Sequence, residues 1–463
     1  MSEFPIEAQT DYQIISAVIT NSDRTPDFEA DIRRLIASFQ IFEHIDKPYL
    51  TAEVVFTDTN NIVQDIDFQG GEKLTLSIAQ SEEINEGFFI TKEFLIDRIE
   101  KIVKADEAAD VVMLHCIEYH VFKSSLQNIS RSYTGSPGFI ISKIMQEYLD
   151  RNLLVLGDEL LNDLKLIIPN LTPIEASNWL KSRAISESGM PYYLYSVLGT
   201  ENLIMRDLGT MLSDGVMNES APFIYAPSMN TNASSNIKYY NILQFKIADT
   251  ENLHGIIDEG LVGAEYYFYN TMTAVPYRVK FDVEDVFKDL SNNNLLGGRN
   301  ERFVYAPEYK LNDKKISTYN SRSITQISQS GAYTNGLKNF KSLHDDDTAG
   351  DHKKKIIAGA LKTFLSKSPI QITVRGREFL TGDENYTIGK VIRILFIDNE
   401  STAQGSDILK FDTKKSGDYI ICSARHAFES FYTTTLLCGR LGSLEEDFSL
   451  WVRSFTVIIT DGL

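Results

Sequence analysis

Cysteine is scarce in this chain: three residues in 463, at Cys116, Cys422 and Cys438. They form no CxxC pair and no metal-ligand spacing, which excludes the familiar zinc frameworks. Cys116 and Cys422 each lie inside an apolar, strand-like run, so buried free thiols and a reducing site of synthesis are expected. Positive charge is also short. There are 45 Lys and Arg against 64 Asp and Glu, a net charge of −19. A nucleic-acid grip needs clustered cations to neutralise phosphates, so such a grip is disfavoured. The surplus of negative charge serves solubility, or it makes a surface that repels nucleic acid, such as a conduit through which it slides. Long apolar runs are missing as well. Runs such as residues 391–397 fall far short of the roughly 20 residues a spanning helix requires. The acidic start MSEFPIEAQT lacks the apolar stretch of a signal peptide. Neither membrane insertion nor secretion by that route is expected.

Catalytic signatures are lacking too. Gly70-Gly71 and Gly297-Gly298 match no phosphate loop, since neither GxGxxG nor GxxxxGK[ST] occurs. There is no GxSxG elbow and no HExxH. His115 and His120 share a predicted strand, but a spacing of five places them on opposite faces. Asp345-Asp346-Asp347, with His344 and His352 nearby, lacks the DxDxDG calcium loop and reads as a solvated charge run. Arg375-Gly376-Arg377 suits a turn between strands. Carboxylates are too numerous for a glycosidase-type pair to be excluded by counting, and none is singled out. The expected sets of catalytic, cofactor-binding and metal-ligating residues are therefore empty. A structural or interaction protein is expected, not an enzyme.

What is present is an ordinary globular composition, 43% hydrophobic and 24% charged. On a prior of roughly 150 residues per domain, the length suggests about three domains. Tyr (22) and Phe (26) dominate the aromatics, which suits strands. Residues 49–78 show the clearest pattern. Leu50, Ala52, Val54 and Phe56 alternate with Thr51, Glu53 and Thr57. After a turn at Asp58–Asn61, Leu74, Leu76 and Ile78 alternate with Lys73, Thr75 and Ser77. This predicts a hairpin-like unit with one apolar and one wet face. Residues 11–20 read as a strand. Residues 28–39 carry Ile32, Leu35, Ile36 and Phe39 at helical spacing, with a strand as the alternative. Residues 88–101 and 111–122 read as long strands around an acidic turn, with Val111, Met113, His115, Ile117 and Tyr119 on one face.

A more helical part follows. Ser136-Pro137 predicts a helix start, with Phe139, Ile140, Ile144, Tyr148 and Leu149 as its apolar stripe. Thr172-Pro173-Ile174-Glu175 predicts another, with a capping box, inward Ile174, Trp179, Leu180 and Ala184, and an end at Ser188-Gly189. Strands are predicted at 192–198 and 202–208. Beyond residue 237, strands are expected at 239–248 and 264–270, with a short helix over 252–261. Residues 283–350 are weakly patterned and read as a loop-rich excursion. Residues 353–367 form an amphipathic helix through Ile356, Ile357, Ala360, Leu361, Phe364 and Leu365. Strands return at 370–374, 386–397, 419–428 and 431–437, and in the tail at 447–459. Residues 88–122 and 386–428 share a strand, polar turn, strand layout, as two copies of one barrel would.

Several stretches resemble one known family. Val54-Val55-Phe56-Thr57-Asp58 followed by Gly71-Glu72-Lys73-Leu74 looks like its tube-like barrel. Residues 172–195 look like its helix-then-aromatic-strand element. SQSGAYTN at 328–335 is similar to a Ser-Gly-Ala-Tyr segment, and Gly382 ahead of Tyr386-Thr387-Ile388-Gly389 to a late barrel strand. The family is the baseplate hub of contractile-tailed bacteriophages of the T-even type. Its fold family includes the N-terminal hub of type VI secretion spike proteins. The excursion and the strand-like tail depart from the family pattern.

The resemblance implies an α+β, mostly β chain. Two tube-like antiparallel β-barrel domains would flank an α+β module, with a loop-rich insertion in the second barrel. The expected domains are 1–123 (first barrel), 124–236 (α+β module), 237–282 and 353–463 (second barrel and tail), and 283–352 (insertion). It further implies a homotrimer acting as a symmetry adaptor between a hexameric tail tube protein and a trimeric central spike protein. The tape measure protein and inner baseplate proteins would be further partners. DNA would pass through a lumen without specific binding, and the protein would reside in the virion baseplate after synthesis in the host cytoplasm. The alternative is a β-rich glycan-binding or polysaccharide-degrading phage tail protein.

Overall fold

The computed structural model describes residues 12–21, 28–59, 61–66, 68, 70–80, 90–104, 109–157, 164–184, 186, 188–219, 222–225, 240–247, 253–270, 276–292, 300–301, 310–328, 341–342, 349–366, 369–376, 387–397, 411–412, 415–440 and 442–443. The first part is β-rich: β1 (Tyr12–Thr20), β2 (Glu29–Asp31), β3 (Ile36–His44), β4 (Thr51–Asp58), β5 (Lys73–Gln80), β6 (Ile90–Lys104) and β7 (Asp110–Glu118). The segment around Ile32 takes the strand alternative: β2 and β3 flank a turn there. Ile32 donates its amide to the Ala17 carbonyl and is fully buried.

Residues 49–78 alternate as expected but are not a hairpin. Leu50, Ala52, Val54, Phe56, Leu74, Leu76 and Ile78 are all buried in one core. Yet β4 pairs with β3 and β7, while β5 pairs with β1 and β6. A short helix, α1 (Ile62–Ile66), intervenes. Asp58 nucleates it by accepting the Ile62 and Val63 amides at 2.9 and 3.0 Å. The connection therefore carries β5 away from β4, and partners distant in sequence take its place. In β7 the buried face is Val112, Leu114 and Cys116, not the odd-numbered set. The strand ends at Glu118 and the chain turns into α2 (Tyr119–Ser125), so His120 lies on a helix and not beside His115 on a strand.

The next part contains β8 (Ser132–Gly135), α3 (Pro137–Leu149), β9 (Leu153–Leu156), β10 (Leu164–Ile167), α4 (Pro173–Lys181), β11 (Tyr192–Tyr195), β12 (Leu203–Asp207) and α5 (Leu208–Ser213). Both predicted helix starts hold. Ser136 accepts the Phe139 amide with Pro137 in the first turn, and Thr172 and Glu175 form a full capping box. Helix α3 buries Ile140, Ile141, Ile144, Met145 and Leu149, whereas Phe139 faces out. Helix α4 stops at Lys181, earlier than Ser188-Gly189, because its last turn closes on the Ser182 amide. All of these except α5 contribute to a second core around Ile144, Leu180 and Leu203.

The remainder begins with β13 (Phe223–Tyr225), β14 (Gln244–Ile247), α6 (Leu253–Asp258), β15 (Gly263–Asn270) and β16 (Pro276–Asp282). The stretch expected to be loop-rich carries real structure. Helix α7 (Val283–Asn292) buries Val283, Val286, Phe287 and Leu290. Their i, i+3, i+4, i+7 spacing is a helical stripe. Short strands β17 (Asn300–Glu301), β18 (Lys310–Leu311) and β19 (Lys314–Lys315) follow, then β20 (Arg322–Ser328), which lies parallel to β15. Next come β21 (Lys341–Ser342), α8 (Ala349–Ser366), β22 (Ile370–Arg375), β23 (Val391–Phe396), β24 (Gly417–Phe428), β25 (Tyr432–Gly439) and β26 (Gly442–Ser443). Asp345–Asp347 and the tail at 447–459 lie outside the described residues. A third core gathers α7, α8, β22, β23 and β24 with Met190, Tyr195 and Met211.

The fold is thus α+β and mostly β, built on one large, chiefly antiparallel sheet. The path runs β14-β22-β25-β24-β3-β4-β7-β6-β5-β1-β2. The early and late β-regions are not separate sheets. They meet edge to edge where β24 pairs with β3.

Candidate functional site

The seam between β3 and β24 is the first feature that positions anything. Ala424 lies opposite Glu43 and Phe428 opposite Phe39. Three rings stack across it. Phe39 and Phe428 are 4.3 Å apart at 8°, and Phe428 and Tyr432 are 4.4 Å apart at 1°. Tyr12 meets Phe428 edge-on at 5.0 Å. Each such pair adds about 0.5–1.5 kcal/mol beyond area burial. Beside the stack lies a buried polar chain. His426 Nδ1 is 2.7 Å from the Tyr432 hydroxyl, and His426 Nε2 is 3.5 Å from Glu43 Oε2. Glu43 also accepts the Leu198 amide. Burial pushes the Tyr432 phenol well above its usual range, so it stays protonated.

A second joint ties the first β-region to the helical part. The Arg151 guanidinium, 3% exposed, donates to the Glu201 carbonyl (3.1 Å), the Pro48 carbonyl (3.1 Å) and Ser196 Oγ (2.8 Å). It also lies 3.1 Å from Glu118 Oε1. Glu118 in turn accepts the Leu50 amide at 3.0 Å. Nearby, buried Lys92 donates to the Thr200 carbonyl at 2.6 Å and to Glu201 at 2.8 Å. Every buried charge here is paired, as burial demands. These are positioning joints. They hold units in register.

The comparisons with known proteins bear on this architecture. The sequence matches no protein-family model and no curated protein. Solved structures do match. A tail protein from Neisseria meningitidis MC58 aligns over 93% of this chain and 96% of its own, at 11% identity and a TM-score of 0.50. The 43 kDa tail protein of prophage MuSo2 from Shewanella oneidensis aligns over 92% and 99%, at 10% identity and a TM-score of 0.50. The fold is that of phage tail proteins. A type VI secretion component of E. coli aligns over 94% of this chain and 77% of its own, at 7% identity and a TM-score of 0.39.

Within this tail-protein fold the residues noted in the sequence stay apart. His115 Nδ1 is 3.3 Å from Asp97 Oδ2, whereas His120 Nδ1 faces Glu118 at 3.9 Å. Among the described residues no three potential ligands gather for a metal. The three cysteines are free. Burial pushes the Cys422 thiol up to about 12 and also raises the Cys116 and Cys438 thiols, so none is a ready nucleophile. Sequence reasoning missed Glu43, Lys92, Glu118 and Arg151. Glu43 carried a readable signal, because it continues the inward positions of Phe39 and Ile41 along β3. Arg151 carried none, since its partners come from four places along the chain.

Two histidines give the tail-protein fold a pH dependence. Burial and Lys47 lower the His44 pKa below 6.5, and burial and Arg151 lower that of His120. Below pH 6.5 the unfolded chain binds protons that the folded chain refuses. Their contribution is complete above pH 6.5 and is lost as pH falls through that value toward the depressed folded pKa. A His44→Gln/His120→Gln chain should show a shallower loss of urea stability from about pH 7 to 5. An unchanged slope would reject this account.

Proposed function

We propose that the chain is the structural hub of a phage tail baseplate and not an enzyme. Three copies form a symmetry adaptor between a hexameric tail tube and a trimeric central spike. Each copy contributes two tube-like barrels, 1–123 and 237–282 with 353–463, around the module 124–236. Six similar units then surround a lumen through which DNA passes. The tape measure and inner baseplate proteins are further contacts, and the assembly resides in the virion.

One observation supports this reading above the others: the β3–β24 seam within a tail-protein fold. It makes the two β-regions consecutive parts of one wall. A wall whose path among the described residues ends at β14 and β2 suits edge-to-edge association into a closed ring. The charge of −19 suits a lumen that does not hold DNA. The test is symmetry. Purified chain should have a trimer's mass in solution, and end-on electron micrographs should show a ring with threefold symmetry. A strict monomer across micromolar concentrations, or a particle without a central hole, would reject the hub.

A further inference from the structure

The strand order of the large sheet repeats, and one pairing of the repeat is missing. In chain order β3, β4, β5, β6 and β7 are matched by β14, β22, β23, β24 and β25. In the first set β3 pairs with β4, β4 with β7, β7 with β6 and β6 with β5. In the second β14 pairs with β22, β22 with β25, β25 with β24 and β24 with β23. The long strands share a further device. β24 pairs with β23 over residues 417–420, passes a bulge between Ile421 and Ser423, and then pairs with β3 over residues 423–428. β6 pairs with β5 over residues 90–95 and passes a bulge between Ile96 and Arg98. A bulge lets one strand serve two sheets. Beyond its bulge β6 keeps β7 on one side, and among the described residues no strand lies on the other. β14, the match of β3, is likewise paired on one side only among the described residues.

The repeat also fixes a register. Cys116 and Cys438 match, since each lies opposite the residue just before the bulge, Ile96 and Ile421. Counting across each set from this pair matches Ala52 with Ile370, and Ile41 with Ile247. On β6 a second bulge, between Ile99 and Lys101, makes Ile102 the match of His426. At the seam His426 lies opposite Ile41, and both are fully buried. Their matches are bare: Ile102 is 50% exposed and Ile247 46%. Neither is turned to the wet face. Ile102 lies opposite fully buried Val112, and Ile247 opposite Ile370, which is 2% exposed. Residues directly opposite share a face, so both isoleucines stand on the core side of the sheet at an open edge.

We propose that the outer half of β6 pairs with β14 of a second copy of this chain, with Ile102 opposite Ile247. This rests on the ring-forming hub and names the edges that close its ring. Strand direction agrees. The wall β14-β22-β25-β24-β3-β4-β7-β6 has eight strands, and each neighbouring pair is antiparallel. An even number of alternating strands leaves β14 and β6 pointing in opposite directions. Copies related by rotation about the ring axis therefore meet antiparallel, as β24 and β3 do. β5, β1 and β2 continue the path but not the wall. They lie across the core from it: Tyr12 on β1 meets Phe39 on β3 edge-on at 6.1 Å, and Ala17, Ile19, Leu74 and Leu76 share one core with Val54 and Leu114. The contact satisfies two open edges at once and covers both bare isoleucines.

The test uses the full chain. Ile102→Cys/Ile247→Cys, treated with a short bis-maleimide, should give a covalent three-chain species on a denaturing gel. The parent, with its three native cysteines, and each single variant should not. Charge gives an independent check. Ile102→Lys and Ile247→Asp should each weaken assembly at least about tenfold in sedimentation, and their combination should restore it, because opposite charges directly across antiparallel strands attract. Both positions are exposed within one copy, so the variants should fold, and circular dichroism matching the parent's shows that they do. Assembled trimers that lack this cross-link overturn the pairing and leave the hub reading standing. So does cross-linking of Ile102→Cys alone, which would mean that β6 meets β6. Equal cross-linking of Ala30→Cys/Ile247→Cys has the same force, since the ring would then close through β2. Failure of the charge pair to restore assembly also overturns the pairing. A parent chain that stays monomeric overturns both readings.

Discussion

Arg151→Ala is expected to remove about 3–5 kcal/mol of stability from the unfolding transition of the first β-region. The side chain is 3% exposed and supplies donors to Pro48, Ser196, Glu201 and Glu118. Its removal leaves the Glu118 carboxylate, also 3% exposed, without its cation. It also leaves the buried Pro48 carbonyl and the Glu201 carbonyl without this donor. The loss therefore exceeds that of a surface ion pair, which is about 0–1 kcal/mol. A second change separates pair from packing. Glu118→Gln in the Arg151→Ala background should recover part of the loss, because the stranded charge is then gone. Urea titrations of the four chains give the coupling energy directly. A loss below about 1 kcal/mol for Arg151→Ala would show that the joint does not hold the two units together.

Val54→Asp and Leu76→Lys should each abolish folding. Val54 is fully buried and Leu76 is 1% exposed, in a core with Phe56, Phe94 and Leu114. A lone charge there costs several kcal/mol, comparable with a domain's whole stability of about 5–15 kcal/mol. Val54 lies opposite Phe39 and Leu114 and Leu76 opposite buried Lys92, so neither new charge meets an opposite one across the sheet. Glu53→Gln, one residue away on the half-exposed face of β4, should change little. Soluble yield and near-ultraviolet circular dichroism separate the cases. Folded, soluble Val54→Asp would refute the inward facing of β4.

Local features were legible because their causes are local. Strand alternation in β4 and β5 follows from the pleat, so Val54, Phe56, Leu74 and Leu76 could be placed inside before any partner was known. The caps at Ser136 and Thr172 involve residues three apart, and both formed. Helix α8 was readable through its stripe. Helix α7 had a similar stripe, but the polar run after it masked the signal. Pairing was not legible. β4 and β5 have similar alternation, and nothing in either says that β7 and β1 would be preferred. The helical end of β7 also escaped, because Tyr119 and Val121 extend the strand pattern past the point where the chain turns.

The sequence alone determined the class of this protein: mostly β, acidic, poor in cysteine and without a catalytic signature. Those properties depend on composition and on spacings of a few residues, and no tertiary contact alters them. The tertiary structure decided everything that joins distant residues. It merged the early and late β-regions at β3 and β24, and placed Arg151 under Glu118. It also left Ile102 and Ile247 exposed on β6 and β14. Each of these depends on which apolar faces found each other in the folded chain. Burial is a many-body outcome, whereas periodicity is a property of one segment, so only the fold could choose the partners.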